Sequence, residues 1–373
     1  MADLDSSPTT EDPTVATSRR PRTRARRMLT LLTVAAVLAL VVHNARTGAQ
    51  SPRIRNPDAQ SDARPYPVLF GFEHWLGFIQ LAVLLVAVAI VITCIVLWRR
   101  NVGRPAVLMT AAVSTLAWQD PIMNWACYAV YNPALWHWPE DWPLFSMSPT
   151  VEPFIVVILV IFFLAPYFMA VWILRRLQAS RPPSSFVWQH PLITLSLLIA
   201  TVGLPYMLAM EVPSVRTGAY HYSQVIPFGS LFVGTPYQYP LLTQVLVLFV
   251  MVPAGVLLYR DDTGQCLAER LAQRSNLLRG RRTLGTFVVM VVIVNIGFFA
   301  YGAGYAVVKR TGIATGLACP WPFPATKVYD PQGLYAQAGQ PGPYFTGAWA
   351  TWHGMDTSVD VVNENCDPMS PVD

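Results

Sequence analysis

Asp120, Asn124 and Tyr128 recur at four-residue spacing in DPIMNWACY, within a stretch that is otherwise apolar. On a helix that spacing puts a carboxyl, an amide and a phenol on one face. An ionisable group at membrane depth is costly to place, which makes Asp120 a functional candidate. Pro121 lacks an N–H and disfavours helix at the residue before it, so a kink is expected beside the carboxyl. Two more acids flank apolar runs: Glu152 in SPTVEP, and Glu211 in AMEVP. Glu152 has a structural explanation. Ser148 or Thr150 can cap a helix there, Pro149 suits its first turn, and an acid is favoured at that end of the dipole. Glu211 closes its run, where the dipole disfavours it, so something else must hold it. Carboxyls in a partly dry cavity can give and take protons, and such groups suit general acid–base work. The expected catalytic set is Asp120 and Glu152, one protonated and one ionised, with Glu211 in reserve. Asn124, Tyr128, Tyr131, Asn132, His221, Glu73 and His74 are the expected substrate-binding groups.

Other chemistries lack their motifs. There is no G-x-S-x-G elbow, no H-E-x-x-H, no phosphate-binding glycine loop and no pair of aspartate clusters for magnesium. The lysines, Lys309 and Lys327, lie away from any mid-membrane position, which rules out a buried Schiff base. The six histidines show no ligand spacing. No metal site and no cofactor are expected.

The elements that must position these residues are membrane helices. The chain has 373 residues, is 53% hydrophobic and only 13% charged, and has a mean hydropathy of +0.39. Soluble domains carry about 25% charged residues. Apolar segments fall at 28–42, 75–97, 105–130, 151–174, 190–210, 240–259 and 284–308. The reading is an all-α polytopic membrane protein with seven transmembrane helices, six if the first is a cleaved signal. Most of the 26 Lys and Arg lie in the 1–27 arm, beside residues 99–104 and 175–181, and in the 260–282 loop. That asymmetry places the amino terminus in the cytoplasm and the carboxyl terminus outside, and marks membrane topology rather than nucleic-acid binding.

Residues 1–27 read as a disordered basic arm, 28–42 as an anchor or signal, 43–74 as an outer linker, 75–308 as a six-helix domain and 309–373 as an outer tail. The outer loops 131–150 and 211–239 are rich in Trp, Tyr and Pro and suit the headgroup level. Cys319 and Cys366 share the outer tail, where one disulfide is open to them; Cys94, Cys127 and Cys266 read as buried or reduced thiols. In this topology Glu73, His74, Asp120, Asn124, Glu140, Asp141, Glu152, Glu211 and His221 all sit at outer ends of segments. Their one-sidedness implies an outward-facing pocket rather than a path across the membrane.

The run DPIMNWACYAVYNPALWHWPEDWPLFSMSPTVEP resembles the AveC-type spirocyclase family, with the similarity covering roughly residues 70–310. The resemblance implies acid-promoted closure of a dihydroxyketone polyketide to a spiroketal with loss of water, without metal or redox cofactor. A dehydration accompanies that reaction in the family's namesake. Two readings compete with a cyclase or dehydratase acting on a lipophilic small molecule in the plasma membrane. One is a non-catalytic protein that binds a membrane lipid or assists export. The other is a transporter, disfavoured by the lack of an inner polar path and of internal repeats. Oligomeric state is left open.

Overall fold

The computed structural model describes residues 68–310, except 128, 140, 141, 143, 144, 146, 147, 155–157, 223 and 279, together with 316–317 and a few positions between 28 and 39. The chain divides into two units, Met1–Ala49 and Gln50–Asp373, and the helical body belongs to the second. Tyr128, Glu140, Asp141, the Cys319–Cys366 pair and most of the first apolar segment, the linker and the tail lie outside the described residues.

Five helices are long and apolar enough to cross a membrane, over residues 75–99, 159–179, 191–216, 241–258 and 282–307. The described residues thus bear out a mostly helical, membrane-type architecture with five such helices where seven spans were expected. Helix α1 (Trp75–Arg99) buries only Leu76, Gln80 and Val83, a stripe at one end. The expected 105–130 span is broken in the middle. It runs as α2 (Arg104–Ser114), a 3-10 turn (Thr115–Trp118), α3 (Asp120–Cys127) and strand β1 (Ala129–Tyr131). The expected kink is present, displaced one turn upstream, because Pro121 fits the first turn of a new helix where no N–H is required. Asn295 holds the break from across the bundle. Its Oδ1 accepts from Trp118 Nε1 and Gln119 Nε2, both at 2.8 Å, and its Nδ2 donates to Thr115 Oγ1 at 2.8 Å.

Helix α4 (Leu159–Ala179) packs on α6 (Pro191–Arg216), with the short α5 (Phe186–Gln189) between them in sequence. Strands β2 (Tyr220–Tyr222) and β3 (Gln224–Val225) follow. The next span is α7 (Leu241–Gln244), a 3-10 turn (Val245–Val247) and α8 (Leu248–Leu258). Then come α9 (Leu267–Arg274), α10 (Arg282–Arg310) and β4 (Gly316–Leu317). Helix α10 lies against α2, α8 and α9 and turns Met290, Val294, Phe298, Tyr301 and Tyr305 into the core. Lipid is as apolar as leucine, so such helices are held by close packing rather than by escape from water. Gly297 permits that approach: a Cβ there would overlap the Phe249 carbonyl of α8.

Two short strand pairs accompany the helices. Strands β1 and β2 pair antiparallel, with Ala129 opposite Tyr222, Val130 opposite His221 and Tyr131 opposite Tyr220; β3 pairs with β4. The two expected loops are therefore joined at their bases. Three-residue strands are too short to show a period of two in the sequence.

Candidate functional site

Asp120 begins α3 and Asn124 stands one turn on, so both side chains share a face as their spacing requires. Both are buried. Asn124 Nδ2 donates to Asp120 Oδ2 at 3.4 Å and to Glu152 Oε2 at 3.2 Å. The Asp120 and Glu152 carboxyls are themselves within hydrogen-bonding reach of each other. Such a contact needs a proton on one of them, because two carboxylates offer only acceptors.

Glu152 does not reach this position as a helix cap. Helix α4 starts at Leu159, and Ser148 Oγ donates to the Val151 carbonyl instead. The capping explanation is overturned because the backbone of 152–154 bonds to the tryptophan loop instead of opening α4. Trp138 N donates to the Glu152 carbonyl at 2.9 Å, Phe154 N to the Trp136 carbonyl at 2.8 Å, and His137 bridges Pro153. Trp138 stacks on Phe145 at 5.0 Å and meets Phe154 edge-on at 4.9 Å, which closes an aromatic cover over the turn. Thr150 Oγ1 donates to the Tyr131 carbonyl at 2.8 Å, tying the cover to β1.

A cavity of about 140 Å³ opens beside Asp120. Period-two geometry sends Ala129, Tyr131, Tyr220 and Tyr222 to one face of the β1–β2 pair, and all four line the cavity. Ile79 and Val83 of α1 form another wall; Phe162, Phe163 and Phe298 add apolar surface; Glu211 and Tyr301 complete the lining. Loss of water, and then the Glu211 charge, push the Tyr220 and Tyr222 phenols well above their ordinary range. They stay protonated and remain donors.

Glu211 is held by what its sequence position demanded, partners outside its own helix. Its Oε2 accepts from Tyr222 OH at 2.9 Å and from Gln244 Nε2 at 2.6 Å. Gln244 Oε1 accepts in turn from Tyr301 OH at 2.6 Å and Tyr305 OH at 2.9 Å. Cys127, which also lines the cavity, lies with Sγ 3.6 Å from Tyr301 OH. Both acid groups therefore reach one cavity, Glu211 fixed as an acceptor and Asp120 paired with Glu152.

The structure brings together Asp120, Asn124, Glu152, Tyr131 and Glu211. Asn132 organises a turn, with Nδ2 donating to the Gly218 carbonyl and Oδ1 accepting from Ala134 N, both at 2.9 Å. His221 opposes Val130, on the other face of the strand pair from the lining residues. Glu73 and His74 are exposed and face each other at 3.5 Å, away from the cavity. Missed in the sequence were Gln244, Tyr220, Tyr222, Tyr301 and Tyr305. A signal existed for three of them: one amide in the apolar 240–259 run, and two tyrosines four apart near the end of 284–308.

No curated protein and no solved structure matches the chain. A family match covers residues 98–329, well over half of the 373. It takes in the broken helix, all three acids, the tryptophan cover, the paired strands and the Gln244 hub, and the chain belongs to that family, described as spirocyclase AveC-like.

Proposed function

We propose that the protein is a membrane-embedded spirocyclase that closes a lipophilic dihydroxyketone-type substrate to a spiroketal with loss of water. The carboxyl pair Asp120–Glu152, sharing Asn124 at the wall of an apolar cavity, supports this reading best. In it, the pair's proton goes to the hydroxyl of a hemiketal, the C–O bond breaks and water leaves. The oxocarbenium ion is captured by the second hydroxyl, whose proton passes to a carboxylate, Glu211 or the emptied pair. Substrate and product differ by one water and no electrons. Placing a proton-loaded and a proton-accepting carboxyl around one substrate is the division of labour such chemistry needs. The phenols of Tyr131 and Tyr220 would orient the substrate oxygens as neutral donors. We place the cavity toward the outer face of the plasma membrane, with the substrate drawn from the bilayer.

Replacing Asp120 with Asn, or Glu152 with Gln, should lower turnover by about 10²–10⁴-fold. The check is untargeted mass spectrometry of extracts from cells carrying each variant, with insertion verified by membrane fractionation. A species one water heavier should accumulate. Unchanged masses with altered partition between membrane and medium would assign the cavity to lipid binding or export instead.

A further inference from the structure

A second cavity, of about 450 Å³, lies at the opposite end of the helices. It is lined by Arg104, Arg260 and Arg282, by Asn101 and Thr283, and by the apolar Val102, Pro105 and Leu108. One acid, Glu269, lines it as well; its Oε1 is 3.3 Å from Arg282 Nη2, while its Oε2 accepts from Cys266 N. That leaves the charges of Arg104 and Arg260 uncompensated, since neither guanidinium meets a carboxyl among the described residues. Arg104 is steadied by the Asn101 side chain and lies 5.6 Å over the Trp98 ring. The amino-terminal ends of α2 and α10 converge there and add their partial positive charge.

Depth identifies the surroundings. Arg282 and Tyr301 are on the same helix, and at helical rise their separation is about 28 Å, close to the hydrocarbon thickness of a bilayer. If Tyr301 marks the headgroup level on one side, this cavity lies at the headgroup level on the other. Trp98 at its rim is a residue that favours that level. Positive charge beside an apolar flank matches a phosphate joined to a glycerol and acyl chains better than it matches a free anion.

We propose that this cavity binds the phosphate of an anionic membrane lipid, with Arg104, Arg260 and Arg282 on the headgroup and Val102, Pro105 and Leu108 against the start of the chains. The inference stands apart from the cyclase reading, because no residue is shared with the first cavity.

Native mass spectrometry of the full chain, released from phosphatidylcholine nanodiscs containing phosphatidylglycerol, tests it. The wild type should retain phosphatidylglycerol in preference to phosphatidylcholine. Each single Arg→Gln change at 104, 260 or 282 should weaken retention about fivefold, and the triple change should abolish the preference. A control triple at Arg99, Arg181 and Arg274, exposed arginines outside the cavity, should keep it. No preference in the wild type, or equal loss in the control, overturns the proposal. In pure phosphatidylcholine, glycerol phosphate or inorganic phosphate is added as a soluble probe. If soluble phosphate binds with the same arginine dependence while phosphatidylglycerol does not, the lipid source is overturned. If the triple variant does not fold, Arg260→Gln decides alone, since its exposed side chain holds no other element in place.

Discussion

An amide has two N–H hydrogens, and at Asn124 they serve two carboxyls that come from different parts of the chain. Losing it would remove the one side chain that donates to both Asp120 and Glu152 among the described residues. Half of that arrangement was legible in the sequence, because the spacing of Asp120 and Asn124 announces a shared helix face. Glu152 was expected beside Asp120 on chemical grounds, while its competing reading as a helix-end acid did not hold, since α4 starts at Leu159. Gln244 was legible only as a lone amide in an apolar run; its partners Glu211, Tyr222, Tyr301 and Tyr305 come from three separate segments, so the hub they form was not. Gln244→Leu should remove one donor from Glu211 and the acceptor that the Tyr301 and Tyr305 phenols share. We expect a loss of at least about 1–3 kcal/mol, the penalty for one unsatisfied buried polar group, read as a lower melting temperature in detergent. Turnover should fall with it, because Glu211 would no longer be fixed toward the cavity.

Elements were legible where hydrophobic runs are long and continuous. Helices α1, α6 and α10 fall where the apolar segments predict them, and α4 overlaps its segment from residue 159 on. The break in 105–130 was legible from Pro121 but not its place one turn upstream, which depends on Asn295, far away in sequence, to absorb the polar groups it exposes. The start of α4 shifted for a similar reason, as 152–154 pairs with the tryptophan loop rather than joining the helix. Close helix approach sets another constraint. Gly297→Ala would drive a methyl group into the Phe249 carbonyl and force α8 and α10 apart. Overpacking of this kind costs about 1–3 kcal/mol, so the variant should unfold at lower temperature. Because α10 carries Tyr301, Tyr305 and Asn295, both the cavity and the break should loosen with it.

At the scale of the molecule, the polar chemistry and the basic charge occupy opposite ends of one helical body. Labelling with a membrane-impermeant maleimide checks the orientation read from charge. With Cys319 and Cys366 replaced by Ser, Phe228→Cys should react in intact cells and Leu277→Cys only after permeabilisation; these side chains are 81% and 90% exposed. Of the remaining thiols Cys127 and Cys266 are buried, and burial pushes the Cys266 thiol up to about 11; Cys94 is half-buried, so the parent protein without either new cysteine is labelled as the background.

Helix α1 buries Leu76, Gln80 and Val83, and Gln80 Oε1 accepts from Trp136 N at 2.5 Å. It also supplies the Ile79 and Val83 wall of the acid-lined cavity. The family match begins at residue 98, where α1 is ending. One wall of the acid-lined cavity is thus built from chain that precedes the matched residues, while its acids and phenols all lie within them. Substitutions at Ile79 and Val83 alter the room available to a guest without disturbing a proton donor or acceptor. Under the proposed function, substitutions on this wall should change which substrates fit and leave the proton-handling groups as they are.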